Sequence, residues 1–168
     1  SNTGIRGVRI LLDGIPESEP DGQTRIEAID FYSIGSIEVV KGNSSSLYTN
    51  APGGVINFIN DITFPRTFLS TFNYFGSFDL RENGLKAGIR SAKYAFLGTY
   101  KYHHFKGYRE HSEDFWHVLN MVLESNPGDN SLLTLLGYSA DGLIRLPGSL
   151  TKEQFDQNPF QLNPRDVS

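Results

Sequence analysis

Short apolar runs separated by turn residues occupy the first part of the chain. Residues 8–12 form one such run, which ends at Asp13-Gly14, and residues 37–40 and 55–59 form two more. Isoleucine and valine favour extended backbone, whereas Asp-Gly and Gly-Gly pairs favour tight turns. The pattern therefore predicts three short strands, followed by a connecting segment at residues 61–65.

From Thr67 onward, apolar and polar residues alternate with a period of two, which is typical of strands whose two faces meet different surroundings. The alternation predicts antiparallel strands over residues 67–103 with one aromatic face, made of Phe68, Phe72, Tyr74, Tyr94, Phe96, Tyr100 and Tyr102. Three cations share the opposite face: Lys86, Arg90 and Lys101. A soluble β-sandwich that buries its aromatic face would alternate in the same way, so periodicity alone leaves both architectures open.

Turn and cap signals divide this second region. Residues 80–83 with Gly84 predict one tight connection, residues 91–93 predict the next, and residues 126–130 predict a third between strands at 114–124 and 131–141. Thr151 followed by Gln154 fits a capping box that opens a short helix.

Composition excludes several classes of protein. The chain of 168 residues contains no cysteine, so disulfide and thiol chemistry are absent. The formal net charge is −4 and lysine and arginine form no block, so nucleic acid is not an expected partner. The sequence has no run of about 18 apolar residues, so it predicts no transmembrane helix. A barrel strand needs only about ten alternating residues, so this observation does not argue against a membrane.

Four phrases within residues 4–60 resemble, in order and spacing, the second half of the plug domain of TonB-dependent outer-membrane receptors. They are Ile5-Arg6-Gly7, Leu11-Leu12-Asp13-Gly14-Ile15-Pro16, Ile37-Glu38-Val39-Val40-Lys41-Gly42 and Gly53-Gly54-Val55-Ile56-Asn57-Phe58. The resemblance implies a mainly β fold. Residues 1–60 are then the C-terminal half of the plug, and residues 61–168 are the first strands and external loops of a transmembrane β-barrel. The chain is expected to be an internal fragment of a longer receptor, without the segment that contacts TonB.

Connection lengths give an expected orientation within such a barrel, because periplasmic turns are short and external loops are longer. With the first strand rising from the plug, residues 80–83, 104–113 and 142–168 are expected outside. Residues 91–93 and 125–130 are then expected on the periplasmic side. In this arrangement the aromatic face meets lipid and the three cations face the barrel lumen.

The resemblance also implies a function, which is transport of a scarce nutrient across the cell outer membrane when TonB pulls on the plug. Residues 107–112, Gly-Tyr-Arg-Glu-His-Ser, resemble the second external loop of the ferric-dicitrate-type branch, and Leu146-Pro147-Gly148 resembles its next loop. The expected cargo is a ferric chelate such as iron citrate or a siderophore, with cobalamin or a glycan as alternatives. The expected partners are TonB, the ferric chelate and outer-membrane lipid. A soluble β-rich carbohydrate-binding or adhesion module is the alternative from a different class.

Two sets of site residues follow from the resemblance. Arg6 and Lys41 match the basic positions that latch the plug to acidic groups of the barrel wall, although a lysine loses the two-point geometry of arginine. Simple solvated charges are the alternative for both. The predicted ligand-binding residues are Gln23, Arg25, Tyr108, Arg109 and His111, whose hydrogen-bond donors suit an anionic iron chelate. A purely structural role for the external loop is the alternative there.

Other candidate chemistry has little support in the sequence. The four histidines, His103, His104, His111 and His117, have no acidic or cysteine partner at a recognisable metal-ligand spacing, so no metal or cofactor is expected. Residues 42–46 lack the Gly-Lys-Ser/Thr ending of a phosphate loop. No nucleophile motif orders the serine, histidine and aspartate residues, so no enzymatic function is expected.

Overall fold

The computed structural model describes residues 7–17, 26, 29–42, 48, 51–128 and 130–163. Four strands form a small sheet and five form a large sheet. The elements are β1 (Val8–Leu12), β2 (Ile15–Pro16), β3 (Ile34–Lys41), β4 (Gly54–Asn60), β5 (Phe68–Gly76), β6 (Leu80–Arg90), β7 (Tyr94–Phe105), β8 (Asp114–Gly128), β9 (Ser131–Ile144) and the helix α1 (Lys152–Gln157). The three short strands predicted from the apolar runs are confirmed as β1, β3 and β4.

The small sheet has the strand order β2-β1-β4-β3, and its central strands β1 and β4 run parallel. Strand β1 ends in a tight turn in which Asp13 and Gly14 have φ angles of 48° and 81°, as expected for an Asp-Gly turn between antiparallel strands. Asp13 also accepts hydrogen bonds from the backbone and side-chain amides of Asn60, at 2.9 and 2.5 Å. One apolar cluster on this sheet contains Ile10, Leu12, Ile29 and Phe58, and a second contains Leu11, Ala51 and Val55.

The large sheet is an antiparallel meander in which β5 to β9 pair in chain order. Directly opposed residues of antiparallel neighbours point to the same side, so the register groups the side chains into two faces. The inner face meets the small sheet and carries buried Leu97, Thr99, Lys101, Val118, Asn120 and Val122. The outer face exposes Leu69, Phe75, Leu85, Ile89, Tyr94, Tyr100, Leu119, Met121, Leu133, Leu135 and Leu143.

The predicted face assignment is confirmed on β6 and β7. All three cations, Lys86, Arg90 and Lys101, lie on the inner face, and Tyr94, Phe96, Tyr100 and Tyr102 lie on the outer face. The charged side chains of these strands therefore point toward the small sheet.

The assignment is wrong for the three aromatic residues of β5. Phe68, Phe72 and Tyr74 lie on the inner face, because they are paired with Gly88, Gly84 and Glu82 of β6. The physical reason is that the rest of the chain supplies them with aromatic partners. Phe64 meets Phe68 edge-on at 5.1 Å between ring centroids, and Tyr32 stacks on Phe72 at 3.6 Å.

The connection between β5 and β6 is also earlier than predicted. It occupies residues 77–79 rather than 80–83, and Phe78 and Asp79 adopt φ angles of 58° and 57°. Gly84 lies inside β6, where a β-carbon would collide with the ring of Phe72. The glycine that signals a turn in the sequence instead provides space for an aromatic side chain on the neighbouring strand.

The predicted connection at residues 91–93, which joins β6 to β7, and the helix cap are confirmed. The predicted turn at residues 126–130 is shorter than expected, because β8 continues to Gly128 and β9 begins at Ser131. The Thr151 hydroxyl accepts from the Gln154 amide at 3.3 Å, and the Gln154 side chain accepts from the Thr151 amide at 2.9 Å. In the described ranges, no helix is both long and apolar enough to cross a membrane.

The connections of the large sheet lie at two ends. We call the end with residues 77–79, 106–113 and 145–163 the loop end, and the end with residues 91–93 and 126–130 the turn end. The loop-end segments contact one another, since the Lys106 amide donates to the Phe78 carbonyl at 3.0 Å and the Glu110 amide donates to the Phe160 carbonyl at 2.8 Å.

Candidate functional site

Polar side chains of the large sheet anchor the small sheet near the middle of the interface. The Lys101 ammonium, only 7% exposed, donates to the backbone carbonyl of Ile29 at 3.3 Å. The buried Asn120 amide donates to the side-chain oxygen of Asn60 at 2.7 Å, and Asn60 in turn donates to Asp13. Because buried polar groups are costly without partners, these contacts fix the position of the small sheet against the large one.

A second group of contacts holds the segment that links the two sheets. The Lys86 ammonium lies 3.4 Å from the Asp61 carboxylate. The Arg90 guanidinium donates to the carbonyl of Ile62 at 3.0 Å and lies 5.9 Å from the centre of the Phe64 ring. Ile62 and Phe64 are buried against Ala95, Leu97 and Val122 of the large sheet. The inward cations thus serve the interface rather than an open lumen.

Nearer the loop end, Tyr32 inserts its ring into the inner face of the large sheet. It stacks on Phe72, and its hydroxyl donates to Glu82 at 2.8 Å. The other oxygen of Glu82 lies 3.0 Å from Nδ1 of His103, and Nε2 of His103 lies 3.0 Å from Asp114. Burial, assisted by the hydrogen bond to Glu82, raises the pKa of Tyr32 above its ordinary value. We call Tyr32, Glu82, His103 and Asp114 the Tyr32 network.

A cavity of about 440 Å³ lies between the two sheets nearer the turn end. Its lining includes Asp13, Gly14 and Asn57 of the small sheet and Val122 and Glu124 of β8. The Asp13-Gly14 turn therefore lies toward the turn end. Residues 18–25, which contain the predicted ligand-binding residues Gln23 and Arg25, lie outside the described residues.

At the loop end, Arg109 joins two segments of the chain. Its guanidinium donates to the carbonyl of Gly148 at 3.0 Å and to that of Gln161 at 2.8 Å. Ser112 braces the loop from within, since its hydroxyl donates to the Arg109 carbonyl at 2.6 Å. Two of the donors of Arg109 are thus directed to the protein backbone.

Aromatic side chains cover part of the loop end. Tyr108 is 61% exposed and its ring meets that of Phe78 at 6.2 Å between centroids. Phe155 of α1 and Phe160 after it are 57% and 56% exposed. This end therefore presents aromatic rings to solvent beside the arginine-braced loop.

Residues 1–55 match the family model described as "TonB-dependent Receptor Plug Domain". Solved structures extend the match across both sheets. The pyoverdine outer membrane receptor FpvA from Pseudomonas aeruginosa PAO1 aligns with 80% of this chain at a TM-score of 0.68 and 18% identity. The fold is that of a TonB-dependent receptor. The stretch that matches the plug model contains β1, β2, β3 and the start of β4, and the large sheet shares its fold with the solved receptors.

Two further structures have the same fold. The ferric-catecholate import receptor Fiu from E. coli K12 aligns with 82% of this chain at a TM-score of 0.66 and 19% identity. The copper transporter OprC aligns with 84% at a TM-score of 0.69 and 18% identity. The chain covers 20%, 20% and 24% of FpvA, Fiu and OprC, so it spans about a fifth to a quarter of their length.

The structure places part of the site predicted for a TonB-dependent receptor. Arg6, Gln23 and Arg25 lie outside the described residues. Lys41 is exposed at the end of β3, and the described ranges contain no ion pair to it, so the latch stays a prediction. Tyr108, Arg109 and His111 lie together in the 106–113 loop, where His111 has a φ angle of 57°. Their contact with a ligand also stays a prediction.

The histidines have partners of other kinds. His103 belongs to the Tyr32 network, His104 faces the Asp79 carbonyl at 3.2 Å, and His117 on the outer face lies 2.8 Å from the Tyr100 hydroxyl. No group of three or more histidine, aspartate or glutamate side chains in the described part of the chain is arranged to hold a metal ion.

Sequence reasoning missed the Tyr32 network. Tyr32 and Glu82 are fifty positions apart, and neither belongs to the four phrases that carry the family resemblance. The one local signal is that Glu82 and His103 fall on the same parity as the inward cations Lys86 and Lys101. A search for opposed polar pairs on that parity would have found them.

Proposed function

We propose that this chain is part of a TonB-dependent outer-membrane transporter that imports a ferric chelate. Residues up to about 60 belong to its plug, and residues 61–168 belong to its barrel. The observation that carries the proposal is a small sheet anchored by polar contacts on the inner face of five strands whose outer face is apolar. TonB is the proposed energy-coupling partner.

The outer face supports a location in the outer membrane. Leu69 and Phe75 of β5 are 71% and 74% exposed, and Leu135 of β9 is 54% exposed. Contiguous apolar patches of this kind are rare on soluble monomers and are expected where a protein meets lipid. They disfavour the soluble carbohydrate-binding module, which would leave this surface in water.

The proposed cargo rests on the structural neighbours and on the external loop. FpvA is a receptor for pyoverdine and Fiu imports ferric catecholates, whereas OprC is a copper transporter. Iron chelates are therefore the first class to test, and copper is the competing one. Within the iron chelates, the Gly-Tyr-Arg-Glu-His-Ser loop favours ferric citrate, whose carboxylates suit fixed hydrogen-bond donors.

The proposed ligand contacts are those predicted from the sequence. Tyr108 is supported by its exposure, and His111 is its neighbour in the same loop. Arg109 retains a further N–H on each terminal nitrogen after its two backbone contacts, so it has donors left for a carboxylate. Gln23 and Arg25 complete the proposed set from the plug.

Growth of a strain that lacks the complete receptor tests the proposal. Under iron limitation, the strain should fail to use one of ferric citrate, a ferric hydroxamate or a ferric catecholate, and the complete receptor gene should restore growth only when TonB is present. Equal growth with and without the receptor on every iron chelate would reject iron as the cargo. Loss of copper uptake instead would favour the copper class. A complete protein that is monodisperse without detergent would reject the membrane location.

A further inference from the structure

Tyr32 is the one plug side chain in the described ranges that stacks on an aromatic ring of a barrel strand. Its ring lies 3.6 Å from that of Phe72, with only 18° between the planes, and Tyr74 lies 6.1 Å away. Gly84, opposite Phe72, leaves the space in which the Phe72 ring lies across the strand. The barrel wall thus provides a fitted surface for a ring that belongs to the plug.

The hydroxyl of Tyr32 is held as firmly as its ring. One carboxylate oxygen of Glu82 accepts a hydrogen bond from the Tyr32 hydroxyl at 2.8 Å, and the other lies 3.0 Å from Nδ1 of His103. Glu82 and His103 are directly opposed residues on β6 and β7, so the sheet register itself sets this pair. A hydrogen bond to a charged and positioned carboxylate is stronger than one between neutral groups.

The chain of contacts continues to the root of the external loop. Nε2 of His103 lies 3.0 Å from Asp114, and Asp114 is the first residue of β8, directly after the 106–113 loop. The side chains of Glu82, His103 and Asp114 are 22%, 23% and 28% exposed, so solvent screens them only partly. A displacement of this loop therefore acts on the carboxylate that positions His103.

We propose that Tyr32 docks the plug on the barrel wall and that the Tyr32 network makes this contact depend on Asp114 at the root of the 106–113 loop. Tyr32 is a positioning residue, because it acts on the plug and not on the cargo. Asp114 links it to the loop in which the proposed function places the cargo. In that respect the inference rests on the proposed function, whereas docking by Tyr32 does not.

Hydrogen exchange in the complete receptor without cargo tests the docking. Tyr32→Phe keeps the stacked ring and removes only the hydroxyl, so exchange of the Ser33 and Ile34 amides, which donate to carbonyls of the same turn, should accelerate about tenfold or more. Asp114→Asn should accelerate the same amides by a smaller factor. Tyr100→Phe removes a hydroxyl contact with His117 on the outer face, so it is the matched control and should leave exchange unchanged.

A second comparison separates coupling from simple loosening. Glu82→Ala combined with Tyr32→Phe should accelerate exchange no more than the stronger single change, because both remove the same hydrogen bond. Additive effects, or unchanged exchange in Tyr32→Phe, would overturn the proposal. With ferric citrate added, exchange at these amides should change in the parent and not in Asp114→Asn. An equal change in both would refute the link to the loop, and absence of citrate binding would reject only the proposed cargo, since the cargo-free arm stands on its own.

Discussion

Replacement of Arg109 tests whether this residue braces the external loops or grips cargo directly. Its two backbone acceptors are the carbonyls of Gly148 and Gln161. These residues lie near the two ends of a loop over residues 147–163 that contains α1 and that we call the lobe. The neck of this lobe is closed by the Asn163 amide, which donates to the Pro147 carbonyl at 2.7 Å. Arg109→Ala removes the only side chain of the 106–113 loop that, within the described residues, donates to both sides of the neck.

The expected magnitude follows from the two contacts. A hydrogen bond from a charged donor contributes about 1.5–3 kcal/mol, and the pair shares one partly buried guanidinium, so we expect about that amount in total. This corresponds to a roughly 10- to 150-fold larger open population of the lobe. Arg109→Lys keeps the charge but not the two-point geometry, so it should recover only a small part of the loss.

Limited digestion of the complete receptor with chymotrypsin measures the opening. Phe155 and Phe160 are exposed within the lobe, so cleavage there reports how often the backbone leaves its folded conformation. Cleavage should accelerate by the factor given above in Arg109→Ala. Arg145→Ala is the control, because its ion pair with Glu113 is partly exposed at the same end and should contribute under about 1 kcal/mol. Cleavage within twofold of the parent in Arg109→Ala, together with lost cargo binding, would refute the brace and favour direct contact with cargo.

Three further outcomes are expected. Gly84→Ala should lower the thermal stability of the complete receptor by about 1–3 kcal/mol, because the new β-carbon collides with Phe72, and Phe72→Leu should restore part of it in a melting experiment. Leu119→Arg on the outer face should destabilise the receptor in lipid vesicles by about 2–4 kcal/mol if that face lies at mid-bilayer, and an equal loss in detergent-free buffer would contradict the membrane assignment. Because the pKa of Tyr32 is raised, its stabilising contact is complete below about pH 10 and is lost as the pH rises through the folded-state pKa. Near pH 10 Tyr32 is still protonated, so the parent and Tyr32→Phe should show the same tyrosinate absorbance, which comes from the tyrosines that both proteins share. The two absorbances should differ only at higher pH.

Local patterns were sufficient to predict every strand except the two-residue β2 and to predict several strand ends. The runs that became β1, β3 and β4 are bounded by turn residues, and the capping box defines the start of α1 from two side chains, Thr151 and Gln154. The shared inner face of Lys86, Arg90 and Lys101 was also predictable, because charged side chains are costly on the apolar face of a barrel strand and therefore occupy the opposite face. These features depend on neighbours in the sequence.

The errors on β5 have a tertiary cause. Alternation tells which residues share a face, but not which face is inside when both sides of the sheet meet apolar material. Phe68 and Phe72 point inward because their rings pack against those of Phe64 and Tyr32. These partners lie outside the large sheet, Phe64 in the segment that links the two sheets and Tyr32 just before β3. Gly84 was interpreted as a turn residue because the sequence around it does not show why a glycine is needed. The space beside it is filled by the ring of Phe72 on the neighbouring strand.

The same reasoning explains why the candidate site was only partly predictable. The family resemblance directs attention to Arg6 and Lys41, whereas the small sheet and the residues just before β3 are held by a buried lysine, two asparagines and a tyrosine that no local motif marks. Each of these contacts joins residues at least fifty positions apart. Inward-facing polar residues on barrel strands are nevertheless a limited set, and each one needs a partner when it is buried. Pairing that set with the polar residues of the plug is therefore the step by which the attachment of a plug becomes predictable from its sequence.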